Sequence, residues 1–161
     1  MSAPIIPRRE TAALGVQLRR AGRRVSFANG CFDVLHAGHV RHLQAAKQQG
    51  DVLVVGINSD QSVSALKGPG RPLLPAEARA ELVAALEPVD YVIIFDELTA
   101  EAMLSELHPD VHCKGSDYTT ETVPERALAR SLGIAVAIVG DPKNHSTHDL
   151  LAEIARRYRK D

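Results

Sequence analysis

Five short apolar runs rich in β-branched residues are spaced along the chain: RVSFAN at 24–29, DVLVVGI at 51–57, DYVIIF at 90–95, DVHCK at 110–114 and IAVAIV at 134–139. Each has the length of a buried strand, and most are nearly continuous rather than alternating, as strands covered on both faces are. Between them the period changes. HVRHLQAAKQQG sets Val40, Leu43 and Ala46 on one helical stripe and stops at Gly50, while PAEARAELVAALEP opens with Pro75 in its first turn and halts before Pro88. LTAEAMLSELHP is expected to turn Leu98, Met103, Leu104 and Leu107 inward before Pro109, and TVPERALARSLG ends at Gly133. STHDLLAEIARRYRK carries Leu150, Leu151, Ile154 and Ala155 at helical spacing behind a Ser/Thr cap.

Strands that alternate with helices in this way predict an α/β fold: a Rossmann-like, doubly wound parallel sheet of about five strands. A loose arm and one short helix are expected over residues 1–22, and the domain proper over 23–161. Ligands of such sheets bind beyond the carboxyl ends of the strands, so the residues to inspect follow Asn29, Ile57, Lys114 and Val139.

Composition narrows the class. A chain of 161 residues, 45% of them hydrophobic, can bury one substantial core but not two ordinary ones, which predicts a single domain. No run approaches the roughly 18 apolar residues of a membrane span, and MSAPIIPRRETAAL lacks a signal-peptide core, so a soluble, cytoplasmic protein without a membrane partner is expected. Cys31 and Cys113 lie in unrelated contexts with no CxxC spacing and read as reduced thiols. The net charge of −1 argues against a nucleic-acid binder, and the basic clusters RRAGRR (19–24) and RRYRK (156–160) read as solvated helix ends.

The segment NGCFDVLHAGH, 29–39, carries the candidate chemistry. It runs from the end of the first strand into a helix, and His36 and His39 flank Gly38 at that junction. Free N–H groups of a first helical turn, two imidazoles and a glycine that permits close approach together form an anion site. A metal reading with His42 lacks a nearby carboxylate or cysteine and an HExxH pair, so no metal ligands are assigned. Lys67, Arg71 and Arg79, within LKGPGRPLLPAEAR, would bring positive charge to the same end of the sheet, although a loop lysine and a helix-surface arginine are the bland alternatives. Lys114 and Gly115 in KGSDY follow the fourth strand, with a simple turn as their alternative. Ser146 and Thr147 open the last helix, where capping alone would account for them.

These segments resemble the HxGH signature and flanking loops of the cytidylyltransferase-like nucleotidyltransferases. Within that family, LKGPGRP, KGSDY and DPKNHST are most similar to the branch that adenylylates a heptose 1-phosphate. The similarity runs from about Val25 to the end of the chain; the GxGxxG and Walker A patterns are absent. The resemblance implies an enzyme that joins the AMP of ATP to a sugar phosphate and releases pyrophosphate, with Mg²⁺ accompanying the triphosphate. It assigns His36, His39, Lys67 and Arg79 to the triphosphate and transition state. It assigns Asn29, Gly30, Cys31, Phe32, Gly38, Lys114, Gly115, Ser146 and Thr147 to the nucleotide. Arg71 and Asp33 fall to the acceptor side, with Asp33 equally able to orient a histidine or cap the turn. It also implies a homodimer and a separate upstream sugar kinase, since the chain carries no kinase half. Two departures stand out: Asp141 occupies the place where cytidylyl relatives carry arginine, which favours adenine, and His148 stands where Ser or Thr is usual.

Overall fold

The computed structural model describes residues 1–142 and 144–159. Lys143 of DPKNHST and Lys160 of RRYRK lie outside the described residues.

All five expected strands form: β1 (Val25–Gly30), β2 (Val52–Asn58), β3 (Tyr91–Phe95), β4 (Val111–Lys114) and β5 (Ala135–Ile138). They make one parallel sheet in the order β3-β2-β1-β4-β5. The helices are α1 (Thr11–Arg20), α2 (Ala37–Lys47), α3 (Asp60–Lys67), α4 (Ala76–Ala84), α5 (Glu101–Leu107), α6 (Arg126–Ser131) and α7 (Thr147–Tyr158). Strand order reverses between β1 and β4, and the crevice opened there is where ligands of doubly wound sheets bind.

Alternate residues of each strand feed two separate cores. Leu53, Val55 and Ile57 of β2 join Leu43 and Ala46 of α2 and Ala80 and Val83 of α4 on one face. Val52 and Val54 join Leu14 and Leu18 of α1 and Met103, Leu104 and Leu107 of α5 on the other. Both faces are thus covered, which explains the near-continuous apolar runs; each large side chain so buried contributes ~1.5–3 kcal/mol. Aspartates preceding the strands fix the register. Val25 donates its N–H to Asp110 at 2.7 Å, Arg24 to Asp51 at 2.8 Å and Leu53 to Asp90 at 2.7 Å.

Three expectations need correction. The N-terminal arm is tied down rather than loose: Ile5 bridges to Val92 at the β3 edge, and Arg8 pairs with Glu97 and Glu106. Leu98 does not turn inward; it is 56% exposed and lines the crevice, because α5 begins only at Glu101. The apolar stripe of α7 is not core either, since that helix buries no residue and leaves Leu150, Ile154 and Tyr158 exposed. Helix α3 lies in a stretch read as loop. Its polar sequence has one wholly buried apolar side chain, Val63, and its start is set by Ser59, whose hydroxyl accepts the Ser62 N–H at 3.3 Å.

Candidate active site

A cleft of about 780 Å³ opens at the carboxyl ends of β1 and β4. His36 is the N-cap of α2, and its ring stacks on that of His39 with 3.9 Å between centroids. The His36 backbone N–H donates to His39 Nδ1 at 3.4 Å, which puts the single ring proton of a neutral His39 on Nε2. The first helical bond runs from His39 N–H to His36 O at 3.0 Å, so the N–H groups of Ala37 and Gly38 precede the ladder and have no intrahelical acceptor. A Cβ on Gly38 would come within 3.0 Å of the His36 ring and 3.4 Å of the His145 carbonyl. Glycine is therefore needed here for ring packing as much as for ligand approach.

The start of α7 meets the start of α2 at this point. Thr147 Oγ1 donates to Val34 O at 3.2 Å, and the His145 ring lies 6.5 Å from that of His36. Ser146 caps α7 by accepting the Asp149 N–H at 3.0 Å. Thr147 spends its hydroxyl proton on Val34 O, whereas Ser146 only accepts in the cap, so toward a ligand this end of α7 offers backbone N–H groups and the Ser146 O–H. Two converging helix amino ends place positive potential at one spot, the arrangement that favours a phosphate.

The remaining expected residues divide. Asn29, Gly30, Cys31, Phe32, Lys67, Lys114 and Gly115 all line the cleft. Lys67 is exposed at the end of α3, beside a loop that turns through Gly68 and Gly70 at φ 90° and 81°. Lys114 is nearly buried, 4.0 Å from Glu125 Oε2, with its ammonium 4.7 Å from the Tyr118 ring centre. Burial pushes the Cys31 thiol up despite the nearby Lys67, Arg79 and Arg71 charges, so it is not a reactive thiolate.

Arg79 is not placed to hold phosphates. It is wholly buried, and its guanidinium is committed to Leu74 O at 2.9 Å, Cys31 O at 2.6 Å, Asn58 O at 2.7 Å and Asp60 at 2.8 Å. It acts as a strut joining the ends of β1 and β2 to the loop before α4. Asp33 likewise is a clasp rather than an acceptor ligand: it is 1% exposed and accepts from Leu73 N, Leu74 N and Arg71 Nε, the last at 2.6 Å. Burial alone would raise the Asp33 carboxyl, but the Leu74 and Leu73 N–H groups and Arg71 outweigh it and hold the pKa below the ordinary value. Arg71 lines the cleft, but its Nε belongs to Asp33.

The cleft also contains residues to which the sequence pattern gave no binding role: Asn58, Thr99, and Asp117 and Tyr118 of KGSDY. His42, weighed only as a metal ligand, lines it too, with Nδ1 3.4 Å from Val139 O and a pKa lowered by burial. Asn58, Asp117 and Tyr118 fall at the strand ends the alternation marks for inspection, whereas Thr99, beyond β3, and His42, within α2, are brought to the cleft by the fold. Among the described residues no three His, Cys, Asp or Glu side chains are grouped as a metal ion would require.

The cytidylyltransferase-like family model matches residues 27–147, three-quarters of the chain and all of the cleft's strand ends. The chain belongs to the cytidylyltransferase-like family. Among its cytidylyltransferase-like relatives, "Bifunctional protein HldE" of Syntrophotalea carbinolica is 47% identical over 140 residues, 87% of this chain and 29% of that protein. The protein of the same name from Methylobacillus flagellatus is 49% identical over 137 residues, 85% of this chain and 28% of that protein. The chain thus spans less than a third of the length of these curated relatives. A solved structure described as the lipopolysaccharide core biosynthesis protein from Thermoplasma volcanium superposes with a TM-score of 0.62 at 31% identity, covering 73% of this chain and 95% of that one.

Proposed function

We propose that this chain transfers AMP from ATP to D-glycero-β-D-manno-heptose 1-phosphate, giving ADP-heptose and pyrophosphate. The observation that carries this reading is the stacked His36–His39 pair at the meeting point of two helix amino ends, with Lys67 and Lys114 on the same cleft. That constellation suits a triphosphate. The preference for ATP and for a heptose phosphate rests on the LKGPGRP, KGSDY and Asp141 segments and on the relatives' names.

In the reaction, an oxygen of the acceptor phosphate attacks the α-phosphorus of ATP in line, the bond to the bridging oxygen breaks, and pyrophosphate leaves with that oxygen. No covalent enzyme intermediate is needed, so the residues act by positioning and by stabilising charge. His36, His39 and the N–H groups of Ala37 and Gly38 hold the triphosphate and the charge that builds on it. Lys67, on its mobile stem, approaches the attacking phosphate or the α-phosphate, and Lys114 neutralises charge from the β4 side. Asp33 and Arg79 fix the loops that carry these groups. We infer further that the enzyme works in the cytoplasm, and as a homodimer, for which the exposed apolar residues of α7 speak.

The test is pyrophosphate release with heptose 1-phosphate as acceptor, ATP and CTP in parallel, and His36→Ala as control. Release with ATP, reduced about 100- to 1,000-fold in the variant, is expected if the histidine acts as an oxyanion-type donor. Release with CTP alone would move the chain to the cytidylyl branch. Full turnover by His36→Ala would remove the site assignment.

A further inference from the structure

Under the cleft floor, on the face of the sheet packed by α5 and α6, lies a buried histidine that the transfer chemistry does not use. His112 sits within β4, wholly inaccessible, its ring stacked on Phe27 of β1 at 5.7 Å between centroids. Phe27 pairs with His112 and Ala28 with Cys113, so Asn29 and Lys114 are the next residues of the two strands. Alternation puts Phe27, Asn29, His112 and Lys114 on one face. Nε2 of His112 lies 2.9 Å from Oδ1 of Asn29, and Asn29 lines the cleft.

Burial holds the His112 pKa down to about 4, against the pull of Glu125 and with the repulsion of Lys114 added, so the ring is neutral and carries one proton. Nδ1 has no hydrogen-bond partner. With the proton on Nε2, the ring donates to Asn29 Oδ1 and leaves only a bare lone pair buried at Nδ1. With the proton on Nδ1, an N–H would be buried without an acceptor and the amide would have to turn round to donate to Nε2. An orphaned buried donor is the rarer and costlier of the two. The first arrangement wins, and it uses the Asn29 carbonyl oxygen while leaving both amide hydrogens for the cleft.

We infer that His112 is a positioning residue: through Asn29 it holds an N–H donor toward the bound nucleotide, so that this point of the cleft takes an acceptor oxygen and not a donor group. The inference rests on the nucleotide-transfer reading above. It adds a residue beneath the site, outside the HxGH segment and the loops.

Two substitutions isolate the effect. His112→Phe keeps a ring stacked on Phe27 and removes the donor, whereas His112→Gln keeps an N–H within reach of Asn29. His112→Phe is expected to melt within about 4 °C of the parent, since burial there is apolar apart from the single bond lost. Its kcat/KM for ATP should fall about tenfold, chiefly in KM, and His112→Gln should recover to within about threefold of the parent. If His112→Phe does not fold, Asn29→Asp carries the test: it keeps the oxygen that His112 binds and replaces the donors with a second oxygen, so ATP binding should fall at least as far. Unchanged kcat/KM in folded His112→Phe, equal losses in the Phe and Gln variants, or parental ATP binding by Asn29→Asp would each overturn the inference. A parent chain that binds magnesium–ATP by calorimetry yet releases no pyrophosphate would fail the transfer reading alone; the inference then stands or falls on whether ATP affinity follows parent, Gln, then Phe. A parent chain that binds no ATP would overturn both.

Discussion

Replacing Arg79 with methionine keeps most of the side chain's buried volume and removes every donor. The change strips the guanidinium from three carbonyls, Leu74 O, Cys31 O and Asn58 O, and from the Asp60 carboxylate. Asp60 is about half exposed, so its pairing is screened by water and contributes only ~0–1 kcal/mol. The carbonyls matter more. Leaving each without a donor costs about 1–3 kcal/mol, less where cleft water can reach Cys31 O or Leu74 O, and relief from burying a guanidinium offsets part of the total. A net loss of about 3–5 kcal/mol follows, in line with breaking other buried charge pairs. At about 2–4 °C per kcal/mol for a chain of this length, Tm should drop by roughly 6–20 °C. Thermal unfolding followed by circular dichroism measures this directly, and ATP kinetics well below the lowered Tm measure what remains of the site. A Tm equal to the parent's together with a large rise in KM for ATP would refute the strut and return Arg79 to the phosphates.

Three further predictions follow from charge and burial. Asp33 has a folded pKa below its unfolded value of about 3.9, so its clasp stabilises the fold above that pH and the contribution is lost as pH falls further. Urea midpoints should therefore drop steeply below about pH 4 in the parent, with that part of the slope missing in Asp33→Asn. His112 has its folded pKa lowered from 6.5 to about 4, so the unfolded chain takes up the proton first. Stability should decline by about 3 kcal/mol between those two pH values, and His112→Phe should flatten the decline. Lys67 is exposed and makes no hydrogen bond or ion pair among those of the described residues; Lys67→Ala should leave stability within about 0.5 kcal/mol and still cut pyrophosphate release about 100-fold or more.

The strands, the apolar stripe of α2, the proline-opened α4 and the placement of the HxGH segment at a strand end were legible along the chain, although α2 ends at Lys47, three residues before the expected stop at Gly50. Each depends on a local rule: apolar runs for strands covered on both faces, a 3.6-residue stripe for helices, and proline and glycine at helix ends. The parallel order with ligands at the carboxyl ends follows from the alternation itself. Helix α3 escaped notice because DQSVSALK offers one wholly buried apolar residue and little stripe to detect.

Charge was a different matter. Arg79 and Lys67 look alike in the sequence, both cations near a glycine-rich loop, yet one is sealed against three carbonyls and the other stands in solvent. Asp33 reads as a turn residue or a ligand contact until the loop before α4 folds back onto it, 40 residues on. Leu98, Leu150 and Ile154 have the spacing of core residues and lie on the surface, because spacing records which side chains share a face and not what that face meets. His112, in the middle of an apolar strand, carries no motif at all. Its role depends on Asn29 lying 2.9 Å away across a strand pair separated by 83 residues. Periodicity is a property of neighbours in the chain, so the sequence by itself determined the elements and the end of the sheet where chemistry would be found. Which charged group faces the ligand and which is consumed by the scaffold depends on partners distant in sequence, and only the tertiary structure decided that.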